Sequence, residues 1–300
     1  MRSAWITNLA LVALVTALAV YAIYKPGAEA DKPRFELSTL SKSTVDRIRI
    51  ESKGGALIEL RKQGDEWQLI QPLAARADRS QIDRLLDLLA ARSKEKLAAN
   101  DLQRFDLDHP ALKVTFNDQT IAFGTTNPLS QEQYVLAGES VYLLGSYYRS
   151  LVPDSPQRVL THALFKLSEK PVAFALPNFT VQQRDGKWEL MPPSRDMSDK
   201  DRPSQDDFNR WVDEWKLASS LLTQPAGSRS PSEWINVRLA DGSSIRLGVV
   251  QREPELVLLR TDEKLSFYFS QQMRDRLLSA PLTAHAADAN GKPAPSESNR

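Results

Sequence analysis

The sequence of 300 residues contains no cysteine, and its charges balance, with 39 Lys and Arg against 38 Asp and Glu. Without a thiol the chain cannot form disulfides, thiolate zinc sites or iron–sulfur clusters, and it has no cysteine nucleophile. Without a basic excess it lacks the concentrated positive face with which nucleic-acid binders neutralise phosphates. We therefore expect no nucleic-acid partner.

Common signatures of catalysis are also missing. The sequence has no Gly-rich phosphate loop, no Gly-x-Ser-x-Gly nucleophile elbow and no His-Glu-x-x-His pair. The three histidines, His109, His162 and His285, lie far apart. His109 precedes Pro110, and we interpret it as a loop histidine, with a metal ligand or a base as the alternative. We predict no enzyme activity, no metal and no cofactor.

The densest acidic cluster comprises Asp196, Asp199, Asp201, Asp206 and Asp207. A calcium loop collects several oxygen ligands on a tight turn that usually has a glycine at its sixth position. Because that glycine is missing, we interpret the cluster as a solvated loop and a helix cap. An ordered cation site is the alternative.

Residues 5–24 form a long apolar run, with twenty residues, no charge and Asn8 as the only strongly polar interruption. About 20 helical residues cover the roughly 30 Å hydrocarbon layer of a bilayer, and aromatic residues such as Trp5 and Tyr24 suit its interfaces. We interpret the run as an uncleaved, single-pass anchor in the inner membrane, with a cytoplasmic N-terminus and a periplasmic body. The alternative is a signal peptide cleaved after residues 28–30, although signal h-regions have only about 7 to 15 apolar residues.

The remainder of the chain contains an internal repeat. Residues 64–69 (GDEWQL) resemble residues 185–190 (DGKWEL), with Trp67 and Trp188 separated by 121 positions. Two alternating apolar segments, which end at Gly124 and Gly248, match in the same order. We therefore predict two homologous lobes.

Each copy has the periodicity of strands, one helix and further strands. Residues 45–51 and 56–62 alternate apolar and polar residues around a Gly-Gly turn, which indicates a hairpin, and the segment of Trp67 adds a third strand. Asp78, with Gln81 three residues later, is typical of a helix start. The apolar stripes of the two helices are Ile82, Leu85, Leu86 and Leu89 in the first copy, and Phe208, Trp211, Val212 and Trp215, after a cap at Ser204 and Asp207, in the second. The pattern predicts an α+β fold with antiparallel sheets.

The predicted organisation follows from these patterns. The parts are an anchor with its flank (1–30), a first α+β lobe (31–152), a linker (153–170) in which a short helix is an alternative, a second lobe (171–283) and a disordered tail (284–300).

Two tryptophans are the candidate partner-binding residues. Trp211 and Trp215 stand where the first copy has Leu85 and Leu89. Two indoles on one helical face suit either a larger core or a partner interface. We interpret Trp67 and Trp188 as core residues, because both copies have them at the same strand position.

The order of an apolar N-terminus, the Gly-Asp-Glu-Trp-x-Leu hairpin strand, an Asp-capped amphipathic helix and residues 106–110 (DLDHP) before a strand pair resembles the family called domain of unknown function 4340. The similarity covers most of residues 35–280. Genes of that family often lie beside ABC-type transporter permeases and gliding-motility auxiliary proteins. The resemblance implies an envelope-facing accessory subunit and transfers no catalytic residue.

We therefore expect a non-enzymatic, membrane-anchored envelope protein that acts by protein–protein contact, as an accessory or scaffolding subunit of an ABC-type transport system. One alternative is a receptor that binds a ligand or polymer in the cleft between the lobes, since domain junctions favour pockets. The other is an envelope hydrolase with dispersed catalytic residues.

Overall fold

The computed structural model describes residues 2–24, 34–192 and 202–281. The α-helices are α1 (Arg2–Tyr24), α2 (Arg79–Leu86), α3 (Tyr147–Ser150), α4 (Gln205–Lys216) and α5 (Gln271–Leu278). The strands are β1 (Phe35–Glu36), β2 (Arg47–Ser52), β3 (Ile58–Gln63), β4 (Glu66–Gln71), β5 (Ala75–Arg76), β6 (Arg92–Ser93), β7 (Lys96–Ala98), β8 (Leu112–Phe116), β9 (Gln119–Thr126), β10 (Gln133–Ala137), β11 (Ser140–Leu144), β12 (Pro171–Ala175), β13 (Thr180–Arg184), β14 (Lys187–Met191), β15 (Leu222–Pro225), β16 (Glu233–Leu239), β17 (Ser244–Gln251), β18 (Leu256–Arg260) and β19 (Leu265–Phe269). Short 3₁₀ helices cover Lys42–Thr44, Asp87–Ala90, Leu102–Phe105 and Pro156–Val159.

Helix α1 contains the apolar run of residues 5–24. Within the ranges described above, we find no helix that is both long enough and apolar enough to cross a membrane.

Two antiparallel sheets make up most of the remainder. The first sheet has nine strands in the order β5-β4-β3-β2-β8-β9-β10-β11-β7, and the second has eight in the order β14-β13-β12-β16-β17-β18-β19-β15. Adjacent strands in both sheets run antiparallel. The predicted α+β class with antiparallel sheets and few helices is confirmed.

The two sheets share one connectivity, apart from β5 at the edge of the first. In the first sheet, β4, β3 and β2 lie in reverse chain order, β8 to β11 follow in chain order, and β7 occupies the far edge. In the second sheet, β14, β13 and β12 take the first places, β16 to β19 the next, and β15 the far edge. A helix, α2 in the first case and α4 in the second, follows the third strand in the chain.

Helix α2 begins where its sequence indicates. The Asp78 side chain accepts a hydrogen bond from the Gln81 backbone N–H at 3.0 Å, and Ser80 Oγ donates a second bond to the same oxygen at 2.6 Å. The first bond satisfies an N–H group that a helix start leaves without a partner in the helix. The stripe residues Ile82, Leu85 and Leu86 are buried on the first sheet.

Helix α4 begins with the predicted capping box. Ser204 Oγ accepts a bond from the Asp207 N–H, and the Asp207 carboxylate accepts from the Ser204 N–H at 2.9 Å and from its hydroxyl at 2.7 Å. The Ser204 hydroxyl bond lowers the pKa of Asp207 most, and the Ser204 backbone N–H and the Arg210 charge act in the same direction against the effect of burial.

The connection between the sheets, residues 153–170, is packed into the molecule. A 3₁₀ helix covers Pro156–Val159 in this segment, where a short helix was the alternative. Thr161 N donates to Arg76 O at 3.0 Å on one side, and Leu164 N donates to Ala218 O at 3.0 Å on the other. Val159, Leu160 and Leu164 are fully buried, so one apolar core continues from the first sheet through the connection into the second.

Two glycines allow close approach at equivalent places in the sheets. A Cβ on Gly124 would lie 2.1 Å from Phe105 O, and a Cβ on Gly248 would lie 2.4 Å from Pro231 Cγ. Gly124 therefore lets the chain at Phe105 lie directly on β9, and Gly248 lets the chain at Pro231 lie directly on β17. This close approach explains the glycine at both positions.

We predict that Gly124→Ala and Gly248→Ala each destabilise the fold by about 1–3 kcal/mol, the usual cost of an added carbon in a packed site. Urea denaturation of each variant measures the loss. Gly145→Ala and Gly227→Ala are matched controls, because a Cβ at these positions meets nothing within 4 Å. Equal midpoints for all four variants would contradict the close approach.

A second prediction concerns acid. Because the folded-state pKa of Asp207 lies below its unfolded value of about 3.9, the box stabilises the fold above about pH 4 and loses that contribution as pH falls through the folded pKa. Asp207→Asn should therefore weaken the decline in unfolding free energy between about pH 4 and pH 2. Asp213→Asn, which removes one charge from the same helix, is the control, and an unchanged decline in Asp207→Asn would refute the prediction.

Candidate functional site

A groove of about 1470 Å³ lies between the two sheets. One wall comes from the first sheet and the start of α2 (residues 65–67 and 76–80), and the connection supplies much of the base. The other wall includes Trp188 of β14 together with Lys216 and Leu217 at the end of α4. The groove therefore draws on both sheets and on the segment that joins them.

Beside the base of the groove lies an ionic cluster, which we call the arginine cluster: Arg76, Glu169, Arg260, Asp262 and Glu263. Arg260 is the last residue of β18 in the second sheet, and Asp262 and Glu263 lie between β18 and β19. Glu169 belongs to the connection, and Arg76 is the last residue of β5 in the first sheet. The cluster thus joins all three parts of the fold.

Arg260 ends strand β18 with its side chain fully buried. Its Nη1 donates to Leu164 O at 2.7 Å and to Glu169 Oε2 at 2.9 Å, and its Nη2 donates to Glu169 Oε1 at 2.5 Å. Asp262 accepts from Nη2 at 3.0 Å and from Nε at 3.1 Å. Every N–H of this guanidinium therefore has an acceptor, as a buried arginine requires.

Arg76 makes the contact across the two sheets. Its Nε and Nη2 donate to the two oxygens of Glu263 at 2.7 and 2.9 Å, in the bidentate geometry that suits a guanidinium and a carboxylate. Nη2 also donates to Ala163 O at 2.8 Å. Because the side chains of Arg76 and Glu263 are only 9% and 10% exposed, solvent screens this pair little.

Two groups of the cluster, Arg260 and Asp262, stabilise each other as ions. Burial by itself would lower the pKa of Arg260, but the hydrogen bonds of Glu169 and Asp262, with the charges of Glu263 and Glu169, raise it above its ordinary value. Burial would likewise raise the pKa of Asp262, yet the hydrogen bond and charge of Arg260 lower it. This mutual stabilisation suits a structural link between the parts of the fold.

Above this base the groove is largely apolar. Trp67 and Trp188, at the same position in β4 and β14, both line it while lying mostly in the core at 6% and 8% exposure. The rim carries Leu167 and Leu217, which are 92% and 80% exposed. Two such exposed leucines bordering one groove form an unusual apolar surface for a folded protein.

The candidate partner-binding residues of the sequence lie in the interior. Trp215 is fully buried and Trp211 is 5% exposed, with the Trp211 Nε1 donating to Ser279 O at 2.8 Å. Both rings pack against Phe174, with centroids 5.2 and 5.4 Å away. Their burial supports the core alternative, and a role in partner binding stays a prediction.

The other sequence candidates are dispersed. His109 is exposed, whereas His162 is half-buried with Nδ1 3.0 Å from Ser220 O. His285 and the acidic residues Asp196, Asp199 and Asp201 lie outside the described residues. Among the residues that the structure does describe, no group of three or more His, Cys, Asp or Glu side chains could hold a metal ion.

Reasoning from the sequence missed the arginine cluster and the rim leucines. One local signal existed for Arg260, which continues the inward-facing positions Leu256 and Leu258 of β18. An arginine at an inward strand position requires buried acceptors. Nothing local identifies Glu169 or Arg76 as its neighbours.

We predict that Arg260→Met lowers the free energy of unfolding by about 3–5 kcal/mol, because it leaves the carboxylate of Glu169, 11% exposed, without its counter-ion. Arg92→Met is the control, since the Arg92–Glu36 pair is 58% and 61% exposed and such pairs contribute about 0–1 kcal/mol. Denaturant unfolding measures both, and similar losses in the two variants would show that the cluster is no stronger than a surface pair.

No curated protein and no solved structure matches the chain. A family model does match it, over residues 67–221, which is more than half of the chain. The matched region begins at Trp67 in β4, includes the whole connection and extends past Leu217 on the rim of the groove. The chain belongs to the family described as Domain of unknown function (DUF4340).

Proposed function

We propose that this protein is a membrane-anchored, non-enzymatic subunit of an ABC-type transport system, and that it binds another protein of that system through the groove. The observation that carries the proposal is the exposure of Leu167 and Leu217 on the rim of one groove. Exposed apolar surface bordered by polar residues is typical of protein–protein interfaces.

The size of the groove favours a protein over a small solute. Sites for small molecules usually have about 300–1,000 Å³ and enclose most of the ligand. A groove of about 1470 Å³ that opens to solvent is larger than such a site and can accept a segment of polypeptide.

The polar groups beneath the groove favour the same conclusion. A receptor for a polar solute needs donors and acceptors that point into its site without another partner. Here the Arg76 guanidinium is bound by Glu263 and by the carbonyl oxygen of Ala163, and Glu169 is bound by Arg260. Recognition therefore falls to the rim, the walls and the aromatic lining between them.

Attachment to the inner membrane, with the body in the periplasm, is proposed on composition. Residues 5–24 carry no charge and are long enough, at about 1.5 Å per residue, to match a bilayer. Among the described helices none was found that is long and apolar enough to cross a membrane, so the proposal rests on the composition of residues 5–24.

The link to transport is proposed from family membership, because genes of this family often lie beside those of ABC-type permeases. The duplication is likewise proposed. It is supported by the common strand order, by the matching positions of Trp67 and Trp188, and by the close approach at both Gly124 and Gly248.

Photo-crosslinking tests the groove. A photoreactive residue at Leu217 in the full chain, activated in native membranes, should capture a membrane protein of the transport system, identified by mass spectrometry. The same residue at Leu129 is the matched control, because Leu129 is 94% exposed and does not line the groove. Equal products from both positions, or none from Leu217, would refute the assignment.

Fractionation tests the anchor. We predict that the full chain stays with membranes through carbonate extraction and that Leu14→Arg with Val15→Arg releases it, because a charge at mid-bilayer costs about 2.5–3.5 kcal/mol. The N-terminal sequence of the membrane-bound protein should begin before residue 5. A mature chain that begins just after Ala30 and is soluble would establish the signal-peptide alternative.

A further inference from the structure

We infer that the groove receives one amphipathic segment of a partner protein, with apolar side chains along one ridge, basic side chains on the flank that faces the first sheet and acidic side chains on the flank that faces the second. The inference rests on the proposed function and specifies the chemistry of the partner.

The wall from the first sheet is acidic. Asp65 of the turn before β4 and Glu66, the first residue of β4, line the groove, and neither makes an ion pair with another described residue. Of the two arginines of this wall, Arg76 is bound by Glu263, whereas Arg79, 70% exposed, places one positive charge beside the carboxylates of Asp65, Glu66 and Asp78. The charge available to a ligand on this side is therefore negative.

The wall on the side of the second sheet is basic. Lys166 and Lys170 of the connection and Lys216 of α4 all line the groove. Lys170 is exposed, the Lys166 ammonium lies 4.0 Å from Glu263 on a side chain that is 36% exposed, and the Lys216 ammonium lies 3.1 Å from Asp213 on a side chain that is 44% exposed. Lys166 and Lys216 directly precede the rim leucines Leu167 and Leu217, so apolar and positive surface alternate along this side.

Between these walls the surface is aromatic and apolar, with Trp67, Phe165 and Trp188 in the lining. The apolar ridge of a partner segment can be buried there only if the flanks of the segment carry charges opposite to those of each wall. Like charges placed opposite one another oppose binding. The presence of acidic as well as basic side chains also disfavours an anionic membrane as the occupant, because Asp65 and Glu66 would repel it.

Three synthetic peptides test the inference. Each is an 18-residue amphipathic helix with the same leucine and tryptophan ridge, and the flanks carry Lys on one side and Glu on the other, Lys on both sides, or Glu on both sides. Binding to the purified full chain in a non-ionic detergent is measured by fluorescence anisotropy. The peptide with mixed flanks should bind about tenfold more tightly than either other peptide, as expected for several exposed ion pairs that each contribute a few-fold. Its advantage should shrink in about 0.5 M salt.

Charge reversal tests the assignment of each wall. Lys166→Glu, Lys170→Glu and Lys216→Glu together should make the peptide with Lys on both flanks the tightest ligand. Asp65→Lys with Glu66→Lys should make the peptide with Glu on both flanks the tightest. The matched control is Lys53→Glu, Lys96→Glu and Lys113→Glu, which reverses three charges away from the groove and should leave the order unchanged. Thermal unfolding shows whether each variant is folded.

Equal binding of the three peptides, no binding of any, or the same preference in the reversed variants would overturn the inference. These outcomes are separate from the test of the proposed function. If Leu217 captures a transport protein while the peptides bind equally, the function stands and the charge pattern is wrong. If the peptides discriminate and Leu217 captures nothing in membranes, the groove is a binding site but the proposed partner is wrong.

Discussion

The arrangement of the two sheets depends on Arg260, a guanidinium that is fully buried and bound by two carboxylates and a backbone carbonyl. Burying such a charge is favourable only where every donor has an acceptor, so the positions of Glu169 and Asp262 are narrowly determined. The neighbouring ion pair between Arg76 and Glu263 links the first sheet to this cluster. This cluster and the buried connection together define the base of the groove.

Because the polar groups at the base of the groove are bound to one another, recognition of a ligand falls to the rim of the groove. The surface left for a ligand consists of the aromatic lining, Leu167 and Leu217, and charges of opposite sign on the two walls. Such a surface has the composition of a protein interface. Complete internal pairing of the Arg260 guanidinium therefore stabilises the fold and leaves the rim as the surface for recognition.

Much of the local structure could be predicted because its causes are local. A side chain that caps a helix, as Asp78 and Ser204 do, acts on N–H groups two or three residues away, and the stripe around Trp211 follows from the period of the helix. The α+β class and antiparallel pairing follow from alternation in the strands. The partner-binding role suggested for Trp211 and Trp215 rested on ring size alone, and a helical period cannot show whether an apolar face meets the core or a partner.

The sequence alone was sufficient for the α+β class, the helix caps and the family, because each of these is carried by residues close together in the chain. The folded arrangement was needed to join Arg76 to Glu263 across 187 positions and to place Leu167 and Leu217 on one groove. Contacts of this kind depend on how whole sheets pack, and many packings are compatible with the same local pattern. For that reason the groove and its paired arginines became visible only in three dimensions.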